Sequence, residues 1–248
     1  MGKGLMTADK GDRKVSLVTG SNKGIGLEIA RQLATLGHTT LVGARDATRG
    51  QAAAGQLQAQ GLDAVFLPLD VTDQPSIDAA AQAVEERFGR LDVLVNNAAV
   101  ALDDAPPSGL DVAILRRTYE TNVFGVFAVI RAMLPLLHKA DAGRIVNMSS
   151  GAGSLTLTSS PDWRPEWSTL AYNSSKSAVN AITVHFAVEL RSTPIKVNAV
   201  NPGYVRTDMS PQGDRSVEQG AIAPVRLATL PADGPTGGFF DESGIVAW

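Results

Sequence analysis

The chain has 248 residues, 44% of them hydrophobic and 19% charged, with a formal net charge of −3 and no cysteine. That length suits one large α/β domain or two small ones, and the lack of cysteine excludes disulfides and thiolate metal sites. Charges of both signs are mixed throughout, leaving no electrostatic footprint for nucleic acid, and His38, His138 and His185 have no second ligand at metal-binding spacing.

The start, MGKGLMTADKGDRK, lacks the apolar stretch of a secretory signal, and position 6 is Met where a myristoylation motif needs Ser or Thr. Residues 1–13 read as a flexible tail. KVSLVTG (14–20) then reads as a short buried strand, and IGLEIARQLATLG as a helix with Ile25, Ile29, Leu33 and Leu36 on one face and Gly37 as its stop. TTLVGA is a second strand and TRGQAAAGQLQAQG a second helix. The alternation continues with the strand AVFLPLD, the helix SIDAAAQAVEERFG and the strand LDVLVNNA. A long helical stretch follows from about Asp111 to Lys139, then the strand GRIVNMSS, the helix LAYNSSKSAVNAITVHFAVELR, the strand IKVNAVNPG and a short last strand, GGFFD.

Strands of five or six residues rich in Val, Leu and Ile, each followed by a helix, predict an α/β fold with a doubly wound parallel sheet covered on both faces. No linker breaks the series, so residues 14–248 are expected to form one domain. The most apolar run, VFGVFAVIRAMLPLL, is interrupted by Arg131 and Pro135 and reads as a buried helix too short for a membrane span. A cytoplasmic protein is the expectation.

The first strand–helix junction is TGSNKGIG (19–26). A glycine-rich turn there lets the backbone approach a pyrophosphate, while the helix N-terminus offers free N–H groups and partial positive charge. The spacing Gly20, Gly24, Gly26 departs from G-x-G-x-x-G, yet its place in the alternation points to a dinucleotide. NAD sites commonly carry an acidic residue at the end of the second strand. Here the strand ends Val42-Gly43-Ala44-Arg45, and Arg45 offers a planar fork suited to a 2′-phosphate. Lys23 can add a second positive charge; Asp46 need not face the same pocket. Both cations also fit as solvated surface residues. The balance favours NADP(H) over NAD(H).

Tyr172 and Lys176 stand four positions apart in LAYNSSKSAV, one turn apart on one helix face. Alone, the pair reads first as a surface tyrosine beside a solvated lysine, since Tyr-x-x-x-Lys occurs by chance in many helices. It has company, however. TGSNKGIG, LDVTD (69–73), NNAA (96–99), NVFG (122–125), IVNMSS (145–150), YNSSK (172–176) and NPGYVRTDM (201–209) follow in that order. The series resembles the short-chain dehydrogenase/reductases over roughly residues 14 to 245. ARDATRGQAAAGQLQAQG and the ending GPTGGFFDESG resemble the NADPH-dependent carbonyl reductases within that family.

The resemblance implies a single Rossmann-type domain with a mostly parallel, seven-stranded sheet. It implies that Gly20, Ser21, Asn22, Lys23, Ile25 and Gly26 wrap the phosphates, with Asp70 and Val71 beside the adenine and Asn97 and Ala98 on the ribose side. Asn122, Ser150, Tyr172 and Lys176 match the family's catalytic tetrad, and Tyr172 and Lys176 also touch the cofactor. Pro202, Gly203, Val205 and Thr207 match the segment that holds the nicotinamide. By composition either Ser149 or Ser150 can serve; the family pattern favours Ser150, and strand alternation lets only one face the substrate.

The implied activity is an NADPH-dependent ketoreductase or carbonyl reductase acting on a small-molecule carbonyl or alcohol, with no nucleic acid or membrane partner. Tyr172 would be the general acid/base, Ser150 would orient the carbonyl, and Asn122 would relay protons from Lys176 through a helix distortion near Gly125. Lowering a tyrosine pKa from about 10 to about 7 requires roughly 4 kcal/mol. One charge at ~4 Å and an effective dielectric of ~20 supplies about that much, which sets the expectation for Lys176.

Three departures stand out. Ala99 replaces the glycine of NNAG, the family's D-G-G ending is missing, and Ser150 and Tyr172 are 22 positions apart, longer than in many members. The missing ending leaves monomer, dimer and tetramer open. The extra residues include PDWRPEW (161–167). With the polar segment YVRTDMSPQGDRSVEQGAIAP expected as a mobile lid, Leu155, Trp163 and Trp167 can line an apolar pocket, or serve as core.

Overall fold

Runs such as VSLVT and TTLVGA are β-branched and apolar on both sides, so they can only sit where both faces are covered. They form seven strands: β1 (Val15–Thr19), β2 (Thr39–Ala44), β3 (Ala64–Pro68), β4 (Val93–Asn96), β5 (Arg144–Met148), β6 (Lys196–Val200) and β7 (Phe239–Phe240). All six pairings between them are parallel, in the order β3-β2-β1-β4-β5-β6-β7. The structure, a computed structural model, describes residues 13–164 and 167–248. Nearly all of the expected tail, residues 1–12, lies outside the described residues, as do Pro165 and Glu166 of the PDWRPEW stretch.

The helices are α1 (Gly24–Thr35), α2 (Ala47–Gln58), α3 (Gln74–Phe88), α4 (Val112–Tyr119), α5 (Gly125–Leu137), α6 (Leu155–Thr158), α7 (Leu170–Glu189) and α8 (Val217–Ala228). Alternation along the strands splits the core in two. Leu17, Leu94, Ile145 and Val197 face a layer containing Ile77, Ile130, Met133 and Val179, from α3, α5 and α7. Val18, Val95, Val146 and Val200 face Ile29, Leu33, Leu57 and Leu227, from α1, α2 and α8. Strand order reverses between β1 and β4, which opens a crevice at the carboxyl ends of the strands, the place where open α/β sheets bind ligands.

Two expectations need correction. The segment read as a polar lid is only partly loop, because α8 begins inside it. Ser216 accepts the Gln219 N–H while the Gln219 side chain accepts the Ser216 N–H, a capping box that starts a helix despite polar surroundings. The long helix also changes pitch: a π-helical turn, Glu120–Phe124, joins α4 to α5. Val112–Leu137 is thus a continuous 26-residue helical run, long and apolar enough by length and composition to cross a bilayer. The reading that it is too short does not hold. Its α5 face of Val126, Val129, Ile130, Met133, Leu136 and Leu137 is buried inside the protein instead.

Candidate active site

One cleft of ≈ 610 Å³ runs across the carboxyl ends of β1, β2, β4, β5 and β6. The glycine turn forms its floor. Gly20 adopts φ 62°, and a Cβ there would stand 2.8 Å from Ala98 Cα, so only glycine lets the turn meet the end of β4. Asn97 Nδ2 donates to the carbonyls of Thr19 (2.9 Å) and Gly20 (3.2 Å), and the Ala98 N–H donates to Thr19 Oγ1 at 3.0 Å. Asn97 and Ala98 therefore hold the turn in place as well as lining the cleft. α1 starts after Lys23 with no side-chain cap and no acidic residue in its first turn. Its first N–H groups are thus left for an anion in the cleft.

Gly20, Asn22, Lys23, Ile25, Gly26, Arg45, Asp70, Val71, Asn97 and Ala98 all line the cleft. Ser21 does not: it is fully buried, with Oγ donating to Val18 O at 2.7 Å, and shapes the turn from beneath. Asp46 was not required to share the pocket, yet it does, together with Arg49, which the sequence reading missed. Asp46 caps α2 by accepting the Arg49 N–H at 2.9 Å, and its other oxygen lies 3.4 Å from Arg49 Nε. The signal was readable, since an Asp followed three residues later by Arg at a helix start brings both groups to one place. Lys23 is engaged too. Its Nζ lies 2.5 Å from Asp208 Oδ2 across the cleft mouth, and this ammonium holds the Asp208 carboxyl below the usual carboxylate range.

At the other end stand the groups expected to handle protons. Tyr172 and Lys176 both line the cleft from α7. Gly153 allows this close seating, because a Cβ there would lie 2.8 Å from the Lys176 backbone carbon. The Ser150 side chain acts on the Tyr172 hydroxyl, drawing its pKa down against burial. Ser150 Oγ already accepts the Ala152 N–H at 3.2 Å, which leaves its own proton for the tyrosine oxygen. Ser149 is buried instead, 3.4 Å from Lys176 O. Ser149, not Ser150, is among the residues that line the cleft, so the expectation for Ser150 rests on its pull on the Tyr172 hydroxyl.

Lys176 differs from its expected part. Its side chain is buried, Nζ donates to Met148 O at 2.8 Å and sits 5.5 Å from the Tyr172 ring centre. Desolvation pushes the ammonium down to about 8 and pushes the Tyr172 hydroxyl up, with the Ser150 hydrogen bond working the other way. The expected 4 kcal/mol lowering of the tyrosine by a lysine at ~4 Å is therefore not present. Burial penalises both charged forms, and the lysine is turned toward a backbone carbonyl.

Asn122 is fully buried in the π-helical turn. Its Oδ1 accepts the Val100 N–H, and its Nδ2 donates to Val100 O and Ser175 Oγ, at 2.8, 2.8 and 3.0 Å. The amide is saturated and brackets the loop after β4, so any relay role falls to the backbone of that turn. Of the 202–207 segment, Pro202 and Thr207 line the cleft. Gly203 borders a second cavity of ≈ 360 Å³ with Arg215 and Glu242. The Val205 side chain is buried against Gly220 of α8. Trp163 and Trp167 stack edge to face at 5.4 Å, Leu155 is exposed, and the cleft wall is made by Val100, Met148 and Met209 instead of these three.

Similarity to known proteins extends over most of the chain. The model of the short chain dehydrogenase family matches residues 14–217. Carbonyl reductase [NADPH] 1 of Homo sapiens is 39% identical over an alignment 275 positions long, gaps included, covering 94% of this chain and 98% of that protein. The NADPH-bound carbonyl reductase from chicken fatty liver superposes with a TM-score of 0.84 at 30% identity, over 95% of this chain and 99% of that one. Salutaridine reductase from Papaver somniferum gives 0.81 at 30% identity, over 93% and 100%.

Proposed function

Since this chain belongs to the short-chain dehydrogenase/reductase family and is an NADP-dependent oxidoreductase, we propose that it reduces ketones or aldehydes with Tyr172 as the proton donor. The observation that carries this reading is that Tyr172 and the buried Lys176 line the same end of the cleft one helical turn apart, with Lys176 Nζ 5.5 Å from the Tyr172 ring centre. Residues 14–248 act as one catalytic domain, and the substrate is a small carbonyl compound.

The residues present fit NADP(H). An uncapped helix start and the Gly20 turn suit the pyrophosphate, and Arg45 and Arg49 stand at the cleft end that would meet a 2′-phosphate. When bound, the nicotinamide supplies or accepts the hydride. The chain supplies position and protons. With substrate bound, Ser150 turns its one proton from the Tyr172 oxygen to the carbonyl oxygen and fixes its direction. Tyr172 gives its proton to that oxygen as negative charge develops there; a pKa held high keeps the proton on Tyr172 until it is needed. Lys176, with an ammonium near 8, is able both to hold the cofactor ribose and to exchange a proton with solvent close to neutral pH. Asn122 secures Val100 and Ser175 on either side of the site.

The test is Tyr172→Phe, assayed by NADPH oxidation with a panel of aldehydes and ketones. A loss of about 10²–10⁴-fold in kcat with NADPH binding retained is expected. Retention of most activity would remove Tyr172 from the acid role.

A further inference from the structure

We infer that Asp103 is a positioning residue for Tyr172, acting through the first turn of α7. This inference rests on the reading of Tyr172 as the acid/base group. α7 begins without a cap of its own: Thr169 precedes it, but its hydroxyl donates to Asn173 Oδ1 at 2.8 Å and satisfies none of the free first-turn N–H groups. Those donors are met from the loop after β4. Asp103 Oδ1 accepts the Ala171 N–H at 2.7 Å and its Oδ2 accepts the Tyr172 N–H at 3.0 Å.

Tyr172 is the third residue of α7, in the turn most prone to fray. A carboxylate with one oxygen on each of two successive N–H groups fixes where that turn sits and how it is rotated about the helix axis. The direction in which the Tyr172 side chain leaves the helix, toward Ser150, follows from that rotation. The negative charge is also favoured at a helix N-terminus.

The same loop is clamped at its start, where Asn122 brackets both backbone groups of Val100. Ala98 and Val100 line the cleft. The loop therefore spans from the cofactor wall to the start of the catalytic helix.

The experiment compares Asp103→Ala, Asp103→Asn and Tyr172→Phe with the parent, measuring kcat and KM for NADPH with 4-nitrobenzaldehyde as probe, together with Tm. Asp103→Asn keeps the size of the side chain and covers the case in which Asp103→Ala does not fold. A fall in kcat of tenfold or more for Asp103→Ala and severalfold for Asp103→Asn, with KM for NADPH within twofold, is expected. Unchanged kcat in both Asp103 variants beside an inactive Tyr172→Phe overturns the positioning role alone. A loss shared between kcat and KM for NADPH also overturns it, as that marks general loosening of the cleft. An active Tyr172→Phe overturns the acid/base reading itself.

Discussion

The two ends of the cleft are built on opposite principles. At the end formed by β1 and β2, charge is carried by Lys23, Arg45 and Arg49, all of them exposed, with Lys23 and Arg49 side chains at 60% and 69%. At the end formed by β5 and α7, the supporting polar groups are withdrawn from water, Asn122 at 0% and Lys176 and Ser149 at 3% exposure, while Tyr172 and Ser150 are half-buried. Exposed cations are screened by salt. Buried ones have shifted pKa values and feel little screening. One end is thus suited to recognising a charged cofactor reversibly, and the other sets a half-buried tyrosine on a buried polar frame, as the proposed proton transfer requires.

The sharpest way to break that contrast is Lys176→Met. If desolvation dominates at this end, kcat falls by about 10³-fold, yet the fold becomes more stable. The sign follows from the depressed pKa. Between about 8 and the ordinary 10.5, the unfolded chain binds a proton that the folded chain does not, so stability of the parent rises with pH across that window. Below it, burying the ammonium costs about 3 kcal/mol, offset by about 1 kcal/mol from the Met148 hydrogen bond. The variant should therefore melt about 5 °C higher at pH 7, and the gain should shrink as pH climbs from 8 to 10.5. Calorimetry across that range checks it; a lower Tm at pH 7 would mean that the ammonium is stabilised by contacts rather than penalised by burial.

Arg45→Asp tests the other end. Losing a charge-assisted bond and adding repulsion should shift the NADPH-to-NADH ratio of kcat/KM by about a hundredfold toward NADH. An unchanged ratio would assign the 2′-phosphate to Arg49 alone. Salt gives the smaller companion effect. Raising NaCl from 50 to 500 mM should increase KM for NADPH about threefold and leave kcat in place, whereas a parallel fall in kcat would place screened charges at the catalytic end as well.

How much of this was legible in the sequence follows the same division. The strands declared themselves as short β-branched runs, and the glycine turn and Tyr172/Lys176 pair are local patterns whose geometry is set by one turn of chain. Asp103, Met148 O and Asp208 are not local. Each meets its partner only because the sheet order brings distant loops together: Asp103 lies 68 positions from Ala171, and Lys23 lies 185 from Asp208. The lysine–tyrosine electrostatics were misjudged for a related reason. Spacing fixes which face a side chain is on, but burial and an unlooked-for carbonyl fix its pKa. The start of α8, by contrast, was written in Ser216 and Gln219 and was masked by the polar residues around them.

The smallest effect expected is at Lys23, where the sequence suggested a phosphate ligand and the structure places an ion pair with Asp208. The pair spans the cleft mouth between the glycine turn and the segment after β6, so it can either strap the cofactor in or merely compete with it. Both side chains are mostly exposed, and pairs of that kind contribute little to stability. If Lys23 serves the cofactor phosphates, Asp208→Asn frees it, and KM for NADPH should fall by no more than about twofold. Lys23→Ala should raise KM by a similar factor, and the two changes should not add in the double variant, because each acts through the same ammonium. A slower release of NADP+ from the parent than from Asp208→Asn, measured by stopped flow, would instead give the ion pair the part of a strap.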